Sequence, residues 1–425
     1  MNDADHKRIL MISTHGYFEN KPSFGRPDTG GQVVFVIELS KALSEFGYQV
    51  DILSRQFAGY EHIEPVSDRV RIVRIPCGGK DFIPKEYLVD YLPELVEGFA
   101  EYVDRNKLEY TLIDAHYWDA GYVGTKLAAR FDVPLVFTPH SLGKWKETRM
   151  KQSAREEGQE IDEEEMEEKY NFRERNATET SIMEDAYKVI ATTPTQRRII
   201  SSDYGIDDEK IMLLTPGFSE TKFRKLPEEE VQSVREEYGL PSSFVLTVGR
   251  ITPYKGYNLA IKAFRQVVQQ EPEAHLVLAV GSHEQSDVDK REELARLAES
   301  IGVRDKVMLY GYIEKLEAFY NAAHAFVQPS TYEPFGMVAI ESMACGTPAV
   351  VTSHGGLKDF VEAGEEALVV DPLDTESLAR AILELLRDRQ LHDRLSRLGY
   401  KKAHSRFTWK HIAGSMLDLL LGNGG

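Results

Sequence analysis

The sequence predicts an α/β protein built from two doubly wound parallel-sheet domains, and three observations carry that expectation. Its 425 residues are enough for two domains with separate cores. Short apolar runs alternate with amphipathic stretches along the chain, the pattern of βαβ units. A turn-rich segment at 216–227 interrupts this alternation near mid-chain, and a second series of apolar runs follows it.

Taken in order, the first series gives strands at 9–13, 49–53, 70–75, 111–115, 135–138, 189–192 and 212–214. Asp28-Thr29-Gly30-Gly31-Gln32 then opens a helix over 33–46, with glycine N–H groups placed for close approach to a diphosphate. The second series gives strands at 244–248, 276–280, 307–310, 325–328, 349–352 and 367–370. An amphipathic helix at 409–421 ends the chain. The expected division is an N-terminal domain 1–215, a C-terminal domain 216–405 and a terminal helix 406–425. No internal repeat is visible.

Composition narrows the function class. The chain is 42% hydrophobic and 28% charged, with a net charge of −18, which disfavours nucleic-acid partners and docking on anionic membranes. A phosphorylated ligand must therefore be caught by local cations. The two cysteines, Cys77 and Cys345, lie far apart without a C-x-x-C spacing, so neither a disulfide framework nor a zinc site is expected, and a reducing cytoplasm fits. The start of the chain carries no signal-peptide core and no apolar run is long enough to span a membrane, so export is not expected. The segment 156–168 holds nine acidic residues in thirteen. It reads either as a charged surface excursion or as a lid beside a binding site.

Three motifs carry chemistry. Tyr332-Glu333-Pro334-Phe335-Gly336-Met337-Val338-Ala339-Ile340-Glu341 sets two carboxylates eight residues apart across a loop-to-helix junction. Glu333 is expected at the loop rim and Glu341 on the helix, both toward one cleft. Arg250 and Lys255, in Gly249-Arg250-Ile251-Thr252-Pro253-Tyr254-Lys255-Gly256, end a strand and begin a helix, where two cations can clamp a pyrophosphate. His140, in Thr138-Pro139-His140-Ser141-Leu142-Gly143, ends a strand of the first series. No G-x-G-x-x-G follows the first strand, which counts against a dehydrogenase, and no Asp-x-Asp motif offers a metal site. Neither a cofactor nor a catalytic metal is expected.

These strings resemble the retaining glycosyltransferases of glycosyltransferase family 4, whose fold, GT-B, faces two Rossmann-like domains across a cleft. The resemblance implies that Gly30, Gly31, Gln32, Arg250, Lys255, Glu333, Phe335, Gly336, Met337 and Glu341 bind a nucleotide diphosphate sugar donor. Tyr312, after a strand, lies where the family grips the base, or is a packing residue. His140 and Glu333 would support the oxocarbenium-like transition state, with Glu333 holding sugar hydroxyls, Glu341 the ribose, and the leaving phosphate taking the acceptor's proton.

The likeness is closer to the sugar-phosphate synthases of that family. It runs through Gly79-Lys80-Asp81-Phe82-Ile83-Pro84-Lys85-Glu86, His116-Tyr117-Trp118-Asp119-Ala120-Gly121 and Tyr170-Asn171-Phe172-Arg173-Glu174-Arg175. By resemblance Lys85, Lys146 and Arg175, for which the sequence shows no counter-ion, collect the phosphate of fructose 6-phosphate. Tyr117, Asp119 and Ser141 would stand near its hydroxyls. The implied reaction moves a hexose from GDP-mannose or UDP-glucose to that sugar phosphate acceptor. A transferase with an unphosphorylated acceptor, a nucleotide-sugar-binding regulator and a GT-B epimerase are the alternatives.

Overall fold

The computed structural model describes residues 7–20, 31–156, 162–282 and 284–421. The chain divides into two compact units, Met1–Thr215 with Ile412–Gly425, and Pro216–His411.

The first unit runs β1 (Arg8–Ile12), α1 (Gly31–Glu45), β2 (Gln49–Arg55), β3 (Ile63–Ser67), β4 (Val70–Ile75), α2 (Leu92–Asn106), β5 (Leu112–His116), α3 (Trp118–Phe131), β6 (Leu135–Thr138), α4 (Gly143–Glu156), α5 (Glu163–Tyr170), α6 (Phe172–Asp185), β7 (Lys188–Ala191), α7 (Pro194–Tyr204) and β8 (Ile211–Leu213). Its eight strands lie in the order β3-β4-β2-β1-β5-β6-β7-β8. All pairs are parallel except β3 with β4, and β3 is the strand that the sequence did not predict. Pro65 and an exposed edge give β3 little apolar signal, and a register shift at Pro65/Ser67 loosens its pairing.

Strand alternation sorts this sheet into two faces. Leu10, Ile12, Ile113, Ala115 and Phe137 enter one core with Leu95, Phe99 and Val123. Asp114 and His116 point the other way, where Phe35 of α1 lies 5.6 Å from the His116 ring. Helix ends follow local chemistry. Thr193 caps α7 by accepting from the Gln196 N–H, Pro194 fills its first position, and left-handed Gly205 closes it. Of the acidic segment, residues 157–161 lie outside the described residues. Glu156 ends α4, and 162–168 enter a helix, α5, whose Asp162 cap accepts from the Glu164 and Glu165 N–H groups.

The second unit runs α8 (Glu228–Tyr238), β9 (Phe244–Gly249), α9 (Tyr257–Gln270), β10 (His275–Val280), α10 (Gln285–Ser300), β11 (Val307–Tyr310), α11 (Leu316–Ala322), β12 (Ala325–Val327), α12 (Met337–Ala344), β13 (Ala349–Thr352), β14 (Leu368–Val370), α13 (Thr375–Arg387), α14 (Arg389–Arg406) and α15 (Trp409–Leu421), whose last residues belong to the first unit. Six parallel strands lie in the order β11-β10-β9-β12-β13-β14. Leu246 and Val277 face one core, while Val245, Leu276 and Leu278 face another, so helices cover both sides. Among the described residues, no helix is long and apolar enough to cross a membrane.

Candidate active site

In an open parallel sheet, ligands bind beyond the strand C-termini where the winding reverses. In the first unit the reversal falls between β1 and β5, which pair directly while β2 and β6 lie outside them. The residues following β1, β5 and β6 are His15, Tyr117 and His140. Tyr117 has φ 82 and His140 φ 55, a left-handed conformation that costs a side-chain-bearing residue on the order of 1–3 kcal/mol. The other non-glycine residues with positive φ, Lys107, Asp132 and Asn171, are all helix C-caps. Tyr117 and His140 have no such reason.

His15 was not foreseen. Its Nδ1 lies 2.8 Å from Asp119 Oδ2, and its ring meets Tyr117 edge-on at 4.7 Å. Asp119 Oδ1 accepts from the Ala120 N–H, so both carboxylate oxygens of this fully buried residue are taken by the protein. Asp119 thus orients the His15 ring and the start of α3. A histidine closing the first strand at the winding reversal was the available signal.

Gln32 spends its amide nitrogen on Ser13 Oγ (3.1 Å) and the His116 carbonyl (3.0 Å), tying α1 to the ends of β1 and β5. Gly31 is the exposed first residue of α1, and Gly30 lies outside the described residues. The His140 carbonyl accepts from Gln196 at 3.4 Å, and its ring packs edge-on against Phe35 at 4.8 Å. Burial, then His116 and His15, hold the His140 imidazole well below its ordinary pKa, so it is neutral at physiological pH.

Arg175 does have a counter-ion, contrary to the sequence reading. Glu179, one turn along α6, accepts from Arg175 Nε at 2.7 Å, and both side chains are buried. Glu179 Oε2 also accepts from the Gly143 N–H (2.9 Å) and Tyr204 Oη (2.6 Å), so it anchors the start of α4. The guanidinium donates to the Ser141 carbonyl at 2.6 Å and lies 4.7 Å from the Tyr117 ring centre. Burial pushes the Tyr117 phenol up to about 12, against the pull of Arg175 and Lys85. Lys85 pairs with Glu86 at 3.0 Å, and Asn171 Nδ2 donates to the Glu86 carbonyl, bringing that loop to the start of α6. Lys146 Nζ sits 4.5 Å from the Tyr170 ring centre at the same junction. Lys85, Lys146, Arg175, Tyr117 and Ser141 are thus drawn into one neighbourhood by α3, α4 and α6.

In the second unit the winding reverses between β9 and β12, and the loops after those strands interlock. Gly256, at φ 69, stands where a Cβ would come 1.9 Å from the Pro329 carbonyl oxygen, and the Thr331 N–H donates to the Tyr254 carbonyl at 2.8 Å. The interlock joins the two predicted motifs. Lys255 Nζ is 2.5 Å from Glu333 Oε2, with Ser330 Oγ and Gln328 Nε2 each 3.4 Å from the same oxygen. Glu333 is only 8% exposed, not at a loop rim, because its carbonyl also accepts from the Gly356 N–H. Arg250 is exposed, with no carboxylate partner among the described residues, and its carbonyl accepts from Tyr257 Oη.

Phe335 is buried against Phe360 and Phe407, so its side chain serves the core and not a donor. Gly336, at φ 117, precedes Met337, where α12 opens with the unpaired N–H groups of any helix start. Glu341 accepts from Tyr320 Oη at 3.1 Å, and burial pushes its carboxyl up to about 7. Tyr312, half-buried after β11, has its phenol pKa raised by burial. Among the described residues, no three His, Cys, Asp or Glu side chains group as a metal site would require.

Two family models match the chain, one described as Glycosyltransferase Family 4 over residues 29–222 and one as Glycosyl transferases group 1 over 231–402. The chain is 42% identical over 424 residues to a mannosylfructose-phosphate synthase of Agrobacterium fabrum, covering 98% of this chain and 92% of that one. A D-inositol 3-phosphate glycosyltransferase of Xylanimonas cellulosilytica is 30% identical, over 97% of this chain and 96% of its own. Among solved structures, a sucrose-phosphate synthase from Thermosynechococcus elongatus superposes with a TM-score of 0.83 at 31% identity, covering 98% and 99% of the two chains.

Proposed function

Since the chain belongs to the family 4 glycosyltransferases and is an enzyme of that class, we propose that it transfers a mannosyl group from GDP-mannose to fructose 6-phosphate, with retention. The products would be mannosylfructose phosphate and GDP. The observation that carries this reading is the 42% identity, over nearly the whole of both chains, to a mannosylfructose-phosphate synthase. The relatives named above also share one chemical trait: each name carries a phosphorylated sugar or polyol. The grouping of Lys85 and Lys146 with Arg175 supports an acceptor of that kind. Glu179 pairs with Arg175 and Glu86 with Lys85, so Arg175 contributes directed N–H donors, and the cations must share a phosphate with carboxylates already beside them.

In this mechanism Arg250 and Lys255 stabilise charge on the departing diphosphate. Glu333 shares Lys255 and accepts from hydroxyls of the hexose, while Glu341 takes the ribose. The acceptor hydroxyl attacks from the face the diphosphate leaves, and a diphosphate oxygen receives its proton, so no side chain need act as base. His140 lies beside the hexose. The proposed compartment is a reducing cytoplasm, in keeping with two buried, unpaired cysteines.

A second reading, sucrose phosphate formed from UDP-glucose, is favoured by the likeness to the sucrose-phosphate synthase structure. Incubation with GDP-mannose or UDP-glucose, each with fructose or fructose 6-phosphate, and measurement of released nucleotide separates them. The expected result is turnover with GDP-mannose and fructose 6-phosphate only. Preference for UDP-glucose would establish the second reading. Equal kcat/KM for fructose and fructose 6-phosphate would remove the phosphate from the acceptor.

A further inference from the structure

Behind His140 lies a chain of buried polar groups that the transfer mechanism leaves unused. His116 Nδ1 is 3.0 Å from His140 Nε2, and His116 Nε2 is 3.3 Å from Asp114 Oδ2. Asp114 and His116 are fully buried, on the face of β5 opposite its main core. Asp114 Oδ2 and His116 Nε2 face each other at that distance, and neither has a hydrogen-bond partner among the described residues. Asp114 Oδ1 accepts from Thr138 Oγ at 3.3 Å.

With Asp114 a carboxylate and His116 carrying a single ring proton, both unpartnered atoms are relieved by placing that proton on His116 Nε2, facing Asp114 Oδ2. His116 Nδ1 is then a lone pair. Only one proton fits between two imidazole nitrogens, so it must sit on His140 Nε2. That leaves His140 Nδ1 unprotonated, an acceptor and not a donor. The other groups around these rings do not reverse this order. Phe35 of α1 is apolar, Gln196 of α7 donates to the His140 carbonyl, and His15, after β1, is engaged by Asp119.

We propose that Asp114 and His116 are positioning residues that fix the tautomer of His140, so that its Nδ1 lone pair accepts a hydrogen bond from a hydroxyl of the transferred hexose. The part about the hexose rests on the function proposed above, whereas the tautomer does not. A carboxylate orienting one imidazole is familiar from triads. Here the carboxylate acts through a second ring, which suits His140 because its strained backbone already sets the ring's direction.

Nitrogen-15 NMR of histidine-labelled, ligand-free protein tests the relay without any substrate, with His116→Asn and His140→Asn used for assignment. Both rings are expected as neutral Nε2–H tautomers. A proton on His140 Nδ1, or on His116 Nδ1, would overturn the proposal, whatever reaction the enzyme performs. Asp114→Asn then reads the consequence for catalysis. It should lower kcat on the order of 10- to 100-fold while leaving the donor KM little changed. Removing the negative charge further disfavours protonation of His140, so the acid limb of kcat should move down. An unmoved acid limb with kcat within about threefold of the unaltered enzyme would also overturn it. Should Asp114→Asn fail to fold, the spectrum of the unaltered protein still decides.

Discussion

At the scale of single residues, the sequence showed the charged groups but not their partners. Lys255 and Glu333 each stood out in the sequence as candidate site residues, yet their 2.5 Å contact joins positions seventy-eight residues apart and appears only when two loops interlock. Arg175 and Glu179 could have been paired from sequence, since four residues along a helix place side chains on one face. Lys255→Ala should lower kcat/KM by about two to three decades, on the order of 2–4 kcal/mol, because it removes a cation where negative charge develops. Kinetics of the variant check this, and turnover within about threefold of the unaltered enzyme would remove Lys255 from the diphosphate site. Glu341 gives a pH dependence. Its folded value of about 7 lies above its ordinary 4.5, so folding favours the protonated form. The stability it contributes is complete below 4.5 and is lost as pH rises through about 7. A ribose diol is bound better by the charged carboxylate, so the donor KM should fall as pH is raised across that value. In Glu341→Gln that dependence should vanish, and a pH-independent donor KM in the unaltered enzyme would contradict the assignment.

At the scale of elements, the strands were legible because buried parallel strands read as short apolar runs, whereas edge strand β3 carries Pro65 and alternating exposure. Loop geometry was less legible, since a glycine in sequence does not reveal whether it serves φ or space. Gly256 serves both, with φ 69 and the Pro329 carbonyl in the way of any Cβ. Gly256→Ala should therefore cost more than the ~1–3 kcal/mol of backbone strain alone and should raise the donor KM, because the loops that hold Lys255 against Glu333 must separate. Gly59 is the control, at φ 82 but with nothing within 4 Å of a Cβ. Its alanine variant should lose only the conformational part. Urea midpoints of the two variants measure the difference, and equal losses would show that the Pro329 contact is slack.

For the whole molecule, length and the restart of the strand pattern after 216–227 were enough to predict two doubly wound sheets, and the family models and the full-length likeness to a sucrose-phosphate synthase agree. With a net charge of −18, the anionic substrates proposed above would be held against the protein's overall field, by a few local cations. In the proposed mechanism Arg250 and Lys255 take the place a divalent ion holds in other transferases. Assay after exhaustive EDTA treatment should therefore retain nearly full activity, and loss rescued by magnesium or manganese would assign the leaving group's charge to a metal. A different consequence follows from the split of the first unit, which is made of residues 1–215 and 412–425. Ile412, Ala413 and Met416 of α15 are buried, so a helix made after nearly the whole of the other unit supplies part of this unit's interior. The eight strands of its sheet are made early, but the unit's interior is closed only after the other unit has been translated. A chain interrupted within the second unit would therefore carry uncovered apolar surface in the first, a mark for chaperones or proteases.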